Sequence, residues 1–136
     1  MEKGKITVKV NRETYPSGEV IVKAYLPYPG LAVHRFIANN SLDAKRATRW
    51  HRWTITHVRS GLRVNADYFK CLHDALLACK MIADMLPWTL SSRQLINRFS
   101  NTHEWGLVRM IVHYAEEGYN EAQISSLILQ SELERG

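Results

Sequence analysis

The chain has 136 residues, 46% hydrophobic and 23% charged, an ordinary globular composition that argues against disorder for most of its length. Every apolar run is broken by Lys, His or Asp within a few residues, so no membrane span is expected. The net charge of +5 is unevenly held: residues 1–66 carry twelve Lys/Arg against four Asp/Glu, and residues 67–136 carry six against nine. Such segregation points towards a polyanion or an acidic partner.

The length suits one domain, 1–136, with a basic β-sheet half (1–66) and a helical half (67–136). Residues 5–10 alternate, with Ile6, Val8 and Val10 on one side and Lys5, Thr7 and Lys9 on the other, which predicts a half-buried strand. A loop with Pro16-Ser17-Gly18 separates it from a second strand over 19–26, where Lys23 and Tyr25 share one register. Pro27-Tyr28-Pro29-Gly30 predicts a turn, because Pro fixes φ and Gly accepts a positive one. A third strand over 31–38 is apolar on both faces and is expected to be central. Asn39-Asn40-Ser41 ends it, and 42–47 reads as a short helical turn or a basic loop.

The run from Lys45 to Val64, KRATRWHRWTITHVRSGLRV, holds six Lys/Arg, two Trp and two His and no acid. It reads as a strand over 49–58 joined to 62–65 by a two-residue Ser60-Gly61 turn. That register places Trp53, Ile55, His57, Leu62 and Val64 on the core face. Trp50, Arg52, Thr54, Thr56, Val58, Arg63 and Asn65 then fall on a polar outer face. His57 is expected to be a hydrogen-bonded core histidine.

Residues 67–86 predict a helix with Phe69, Leu72, Leu76, Cys79, Ala83 and Leu86 as its apolar stripe, stopped by Pro87. Ser91 to Gln94 is a capping-box pattern opening a short helix through Phe99. Another helix runs from Asn101 or Thr102 to a glycine stop at Gly118, and Asn120 caps the last. The expected architecture is α+β: an antiparallel meander of four to five strands, then a packing helix and about three more. Gly118 between two helices gives a superficial helix-turn-helix. Glu121, Glu132 and Glu134 make its last helix too acidic to approach phosphates, so it reads as a packing or dimerisation hairpin.

Lys45, Arg46, Arg49, Trp50, Arg52 and Arg63 are the candidate binding residues: the cations neutralise phosphates, and an exposed Trp offers stacking to unpaired bases. The function expected is non-enzymatic nucleic-acid binding in the cytoplasm, since MEKGKITVKV lacks the apolar core of a signal peptide. The alternative is a small protein-binding inhibitor or regulator of the phage and mobile-element type, of which anti-CRISPR proteins are an analogy of class only. It would use the same face and dimerise by its C-terminal helices. Tyr25, Tyr28, Trp50, Trp88, Trp105 and Tyr119 supply interface-type aromatics for that reading.

No cofactor is called for. His51, His57, Cys71, His73 and Cys79 form no CxxC or HxxxH pair, so no metal site is expected. Cys71 and Cys79, about 12 Å apart along a helix, are too distant for a disulfide and are read as reduced and buried. A small basic nuclease using His51 or His57 with Arg52 or Arg63 lacks a group to orient its base.

Overall fold

The computed structural model describes residues 1–13, 15–37 and 52–135. Five strands come first: β1 (Lys3–Lys9), β2 (Glu19–Tyr28), β3 (Leu31–Arg35), β4 (Trp53–His57) and β5 (Leu62–Arg63). Four helices follow: α1 (Leu72–Ile82), α2 (Ser92–Phe99), α3 (His103–Glu116) and α4 (Glu121–Arg135). The sheet is an antiparallel meander in the order β1-β2-β3-β4-β5, so the α+β expectation holds.

Alternation decides what each strand buries. Leu31, Val33 and Ile55 face the helices and join Phe69, Ala78, Cys79 and Ile82 in the main core. The opposite face carries Ile6, Val8, Ala24 and Ala32, which form a second, smaller core. That second core exists because the sheet curls: the Lys9 N–H donates to the Gly61 carbonyl at 2.8 Å, drawing the β4–β5 loop onto β1.

The curl corrects the expected polar outer face. Thr54, Thr56 and Asn65 are buried, each with a partner. Thr54 Oγ1 donates to Asn65 Oδ1 at 2.6 Å, and the same oxygen accepts the Ile55 N–H at 2.8 Å. His34 Nδ1 lies 2.7 Å from the Arg35 carbonyl and so carries the proton, leaving Nε2 to accept from Thr56 Oγ1 at 2.7 Å. Burial depresses the His34 pKa, opposed by its bond to the Arg35 carbonyl, and the ring is neutral.

The β4–β5 register differs from the two-residue turn. Thr56 pairs with Arg63 and His57 with Leu62, so the loop is the four residues 58–61. Ser60 Oγ holds it by meeting His57 Nδ1 at 2.7 Å and accepting the Leu62 N–H at 3.1 Å. Gly61, at φ 73, closes it with an N–H to the His57 carbonyl. A shift of two residues preserves side-chain parity, so Arg63 still lies opposite in face to His57.

The first helix starts later than the periodicity suggests. Phe69 exchanges backbone hydrogen bonds with Trp53 in both directions, at 2.8 and 2.9 Å, and is fully buried. This holds Phe69 in a β-bridge rather than a helical turn, and α1 begins at Leu72. Its buried stripe is Ala75, Ala78, Cys79 and Ile82 with Leu77, whereas Leu72 and Leu76 are only half-buried. Cys79 is buried as expected, and burial pushes its thiol up to about 12; Cys71 is exposed, against expectation. The Ser91–Gln94 capping box is present, and Thr102 caps α3 through an acceptor for the Trp105 N–H. Within α3, Gly106 is exposed, and a methyl group there would meet nothing within 4 Å. Gly106→Ala is therefore expected to raise unfolding free energy by about 0.5–1 kcal/mol, read as a higher denaturation midpoint at constant slope.

Candidate nucleic-acid interface

Of the six expected binding residues, Lys45, Arg46, Arg49 and Trp50 lie outside the described residues. Arg52 and Arg63 come together through two aromatic rings. The Arg52 guanidinium sits 4.6 Å from the Tyr68 ring centroid, and that of Arg63 sits 5.3 Å from Phe36. Phe36 and Tyr68 meet edge to face at 6.0 Å, completing an Arg52–Tyr68–Phe36–Arg63 row. Arg52 Nε is buried and has no hydrogen-bond partner among the described residues. A buried guanidinium N–H without an acceptor is costly, and a phosphate or carboxylate oxygen is the acceptor it matches best.

A second basic and aromatic cluster, absent from the expected set, adjoins the first at Arg35–Phe36. β2 pairs with β3 only at Tyr25–Val33 and Tyr28–Leu31, with a bulge between. Beyond Tyr25 the earlier part of β2 pairs with β1 alone, and a groove of about 810 Å³ opens between it and the end of β3. Among the described residues its lining includes Lys3, Lys5, Lys23, Arg35, Tyr25 and Trp53, and no acid. Lys3 Nζ lies 5.3 Å from the Tyr25 ring centroid, the Arg35 guanidinium lies 5.2 Å from that of Trp53, and the two rings are 6.2 Å apart. Trp53, read as core, is thus half-buried, with one part on the main core and another in this groove.

The register of β1 on β2 sets Lys5 directly opposite Lys23. Like charges in a cross-strand pair destabilise a sheet, by amounts of the order of the roughly 0.2–1 kcal/mol that favourable pairs contribute. Four residues along, Lys9 faces Glu19 and forms an ion pair with it. Among the described residues Lys3, Lys5, Lys23 and Arg35 make no such pair. Sequence alternation marks each of these side chains as facing away from Ile6 and Val8, but only the register shows that they gather.

On the helix side, an apolar cavity of about 550 Å³ lies between the β4–β5 hairpin and α2–α3, with His57, Ser60, Arg109 and Glu116 in its wall. The Glu116 carboxyl is raised in pKa chiefly by burial, opposed by hydrogen bonds from the Asp67 N–H (2.7 Å) and Asn65. His57 has both ring nitrogens engaged. Nε2 is 2.8 Å from the carbonyls of Trp88 and Leu90 and therefore carries the proton, while Nδ1 accepts from Ser60. The guanidinium groups of Arg52 and Arg63 lie over Tyr68 and Phe36, and the hydrogen bonds of His57 go to Ser60, Trp88 and Leu90, so His57 and these arginines are not joined as acid, base and phosphate clamp. At the start of α1 the donors of Cys71, His73 and Asp74 lie within 4.8 Å of one another.

Comparison with protein-family models, with curated proteins and with solved structures finds no match for this chain.

Proposed function

We propose that this protein binds nucleic acid, with a preference for unpaired strands, along the groove between β2 and β3 and the adjoining arginine–aromatic row. The observation that carries the reading is the Lys5–Lys23 cross-strand pair, set among Lys3, Arg35, Tyr25 and Trp53 with no acid among the described lining residues. A phosphate backbone relieves that repulsion, and the aromatic and guanidinium planes offer stacking to bases that a duplex keeps covered. Arg52 and Arg63 extend the same basic track around Phe36, which lines the groove as well. No helix among the described residues is long and apolar enough to cross a membrane. A cytoplasmic setting suits such a role.

The test is fluorescence anisotropy with a labelled oligonucleotide across a salt series. Four groove cations predict a slope of log K against log salt of roughly −3, at ~0.7 per phosphate contact on a single strand. Lys5→Ala/Lys23→Ala/Arg35→Ala should flatten it by roughly 2 on the same relation. No detectable binding at low salt, or an unchanged slope in the triple variant, would overturn the proposal.

A second reading has its own support. Leu129 and Leu133, one turn apart on α4, are 60% and 73% exposed, which suits a protein-directed inhibitor or regulator that dimerises through this helix. Light scattering on the wild type and a Leu129→Gln/Leu133→Gln variant tests it; identical monomer masses would remove the dimer.

A further inference from the structure

The start of α1 gathers three donors of different chemistry. Cys71 is the N-cap, with extended backbone (φ −148, ψ 162), and its side chain makes no capping hydrogen bond. Ser, Thr, Asn or Asp serve that position because their oxygens accept a first-turn N–H, which sulfur does weakly. Capping therefore does not account for a cysteine here. Asp74 is the third residue of the helix, the position whose side chain turns back towards the N-cap. His73 Nδ1 lies 3.4 Å from Asp74 Oδ1, and the sulfur, imidazole nitrogen and carboxylate oxygen all fall within 4.8 Å of one another. Cys71 and His73 are exposed and belong to neither core cluster, so the fold does not require either side chain.

We propose that Cys71, His73 and Asp74 bind a divalent ion of the zinc class. One sulfur, one nitrogen and one oxygen donor suit zinc, whereas magnesium and calcium take oxygen donors almost throughout. Three protein donors leave the fourth tetrahedral position to water. Bond lengths of ~2.0–2.3 Å at tetrahedral angles put donors roughly 3.5 Å apart, so the exposed side chains close by about an ångström through rotation alone. On binding, the Cys71 thiol proton passes to solvent, and thiolate and carboxylate together balance the ion's two charges. The partial positive charge of the helix start, about half a unit, opposes a cation but is outweighed by those two formal charges. The site is separate from the groove and does not depend on the nucleic-acid reading.

Titration of the reduced full-length chain with Co²⁺, followed by competition with Zn²⁺, tests it. The expected result is one-to-one binding with a thiolate-to-cobalt charge-transfer band and intense visible bands of a tetrahedral site, all abolished by zinc. Cys71→Ser should remove the charge-transfer band, and Cys79→Ser should leave it. His73→Ala and Asp74→Asn should each weaken binding by at least the roughly 10- to 100-fold that loss of even an outer-shell partner costs. Circular dichroism of each variant checks that α1 persists. Absence of the band at saturating cobalt, or its survival in Cys71→Ser, would overturn the site. Unchanged affinity in both His73→Ala and Asp74→Asn would overturn it equally, since that is the behaviour of a lone exposed thiol.

Discussion

Gly30→Ala is expected to lower the unfolding free energy by about 3–5 kcal/mol, combining backbone strain with overpacking. Gly30 has φ 86, the left-handed conformation required where Pro29-Gly30 turns β2 into β3. An added Cβ would also lie 2.4 Å from the Trp88 carbonyl oxygen and 2.5 Å from its carbon. Both are backbone atoms, so relief requires moving the whole connection between α1 and α2. The Val58 N–H donates to the Gly30 carbonyl, so displacement on the sheet side disturbs β4 as well. Gly118→Ala is the control: φ is 92, but nothing lies within 4 Å of the added methyl. Strain alone then predicts a loss of about 1–2 kcal/mol. Equal losses in the two variants, measured by chemical denaturation, would show that the approach to Trp88 carries no weight.

Local pattern made the strands legible, because alternation in Ile6/Val8 against Lys5/Lys9 is a property of neighbouring residues. Helix caps at Ser91 and Thr102 were readable for the same reason. The misjudged elements depend on distant partners. Phe69 fits a helical stripe, yet Trp53 claims its backbone and delays α1 to Leu72. Thr54, Thr56 and Asn65 are polar and read as outward, but the curl buries them against His34 and one another. No local pattern encodes a curl, which is set by the contact of β1 with the β4–β5 loop.

The candidate site divides in the same way. Arg52 and Arg63 were recognisable as sharing one side of the hairpin, and they do share a row of rings. The cluster around Lys5 and Lys23 depends on register across a nine-residue loop, which composition does not specify. Cys71, His73 and Asp74 escape a search for CxxC or HxxxH because an N-cap and the first helical turn bring them together. That spacing has meaning only once the helix start is fixed.

Trp88 also anchors the second large effect expected here. His57→Leu should cost about 2–4 kcal/mol, since it leaves the buried Trp88 carbonyl and the half-buried Leu90 carbonyl without their imidazole donor. It also removes the ring nitrogen that Ser60 Oγ meets within the β4–β5 loop. His57→Gln, whose amide can reach the same carbonyls, should recover part of the loss, whereas a purely steric role for the ring would favour Leu. Ser60→Ala, which keeps the carbonyl contacts, should cost only about 0.5–1.5 kcal/mol. Trp88 is fixed from two further directions, by its Nε1–H to the Ile82 carbonyl at 2.9 Å and by the Gly30 turn beneath its backbone. Gly30→Ala pushes on the same carbonyl that His57 holds. Once one substitution has displaced that carbonyl, the other has less left to break. The double variant should therefore lose less than the two single losses combined, by more than the ~0.5 kcal/mol within which independent sites add. Strict additivity would mean that the two contacts act on Trp88 separately, and the connection between α1 and α2 would not be a single keystone of the fold.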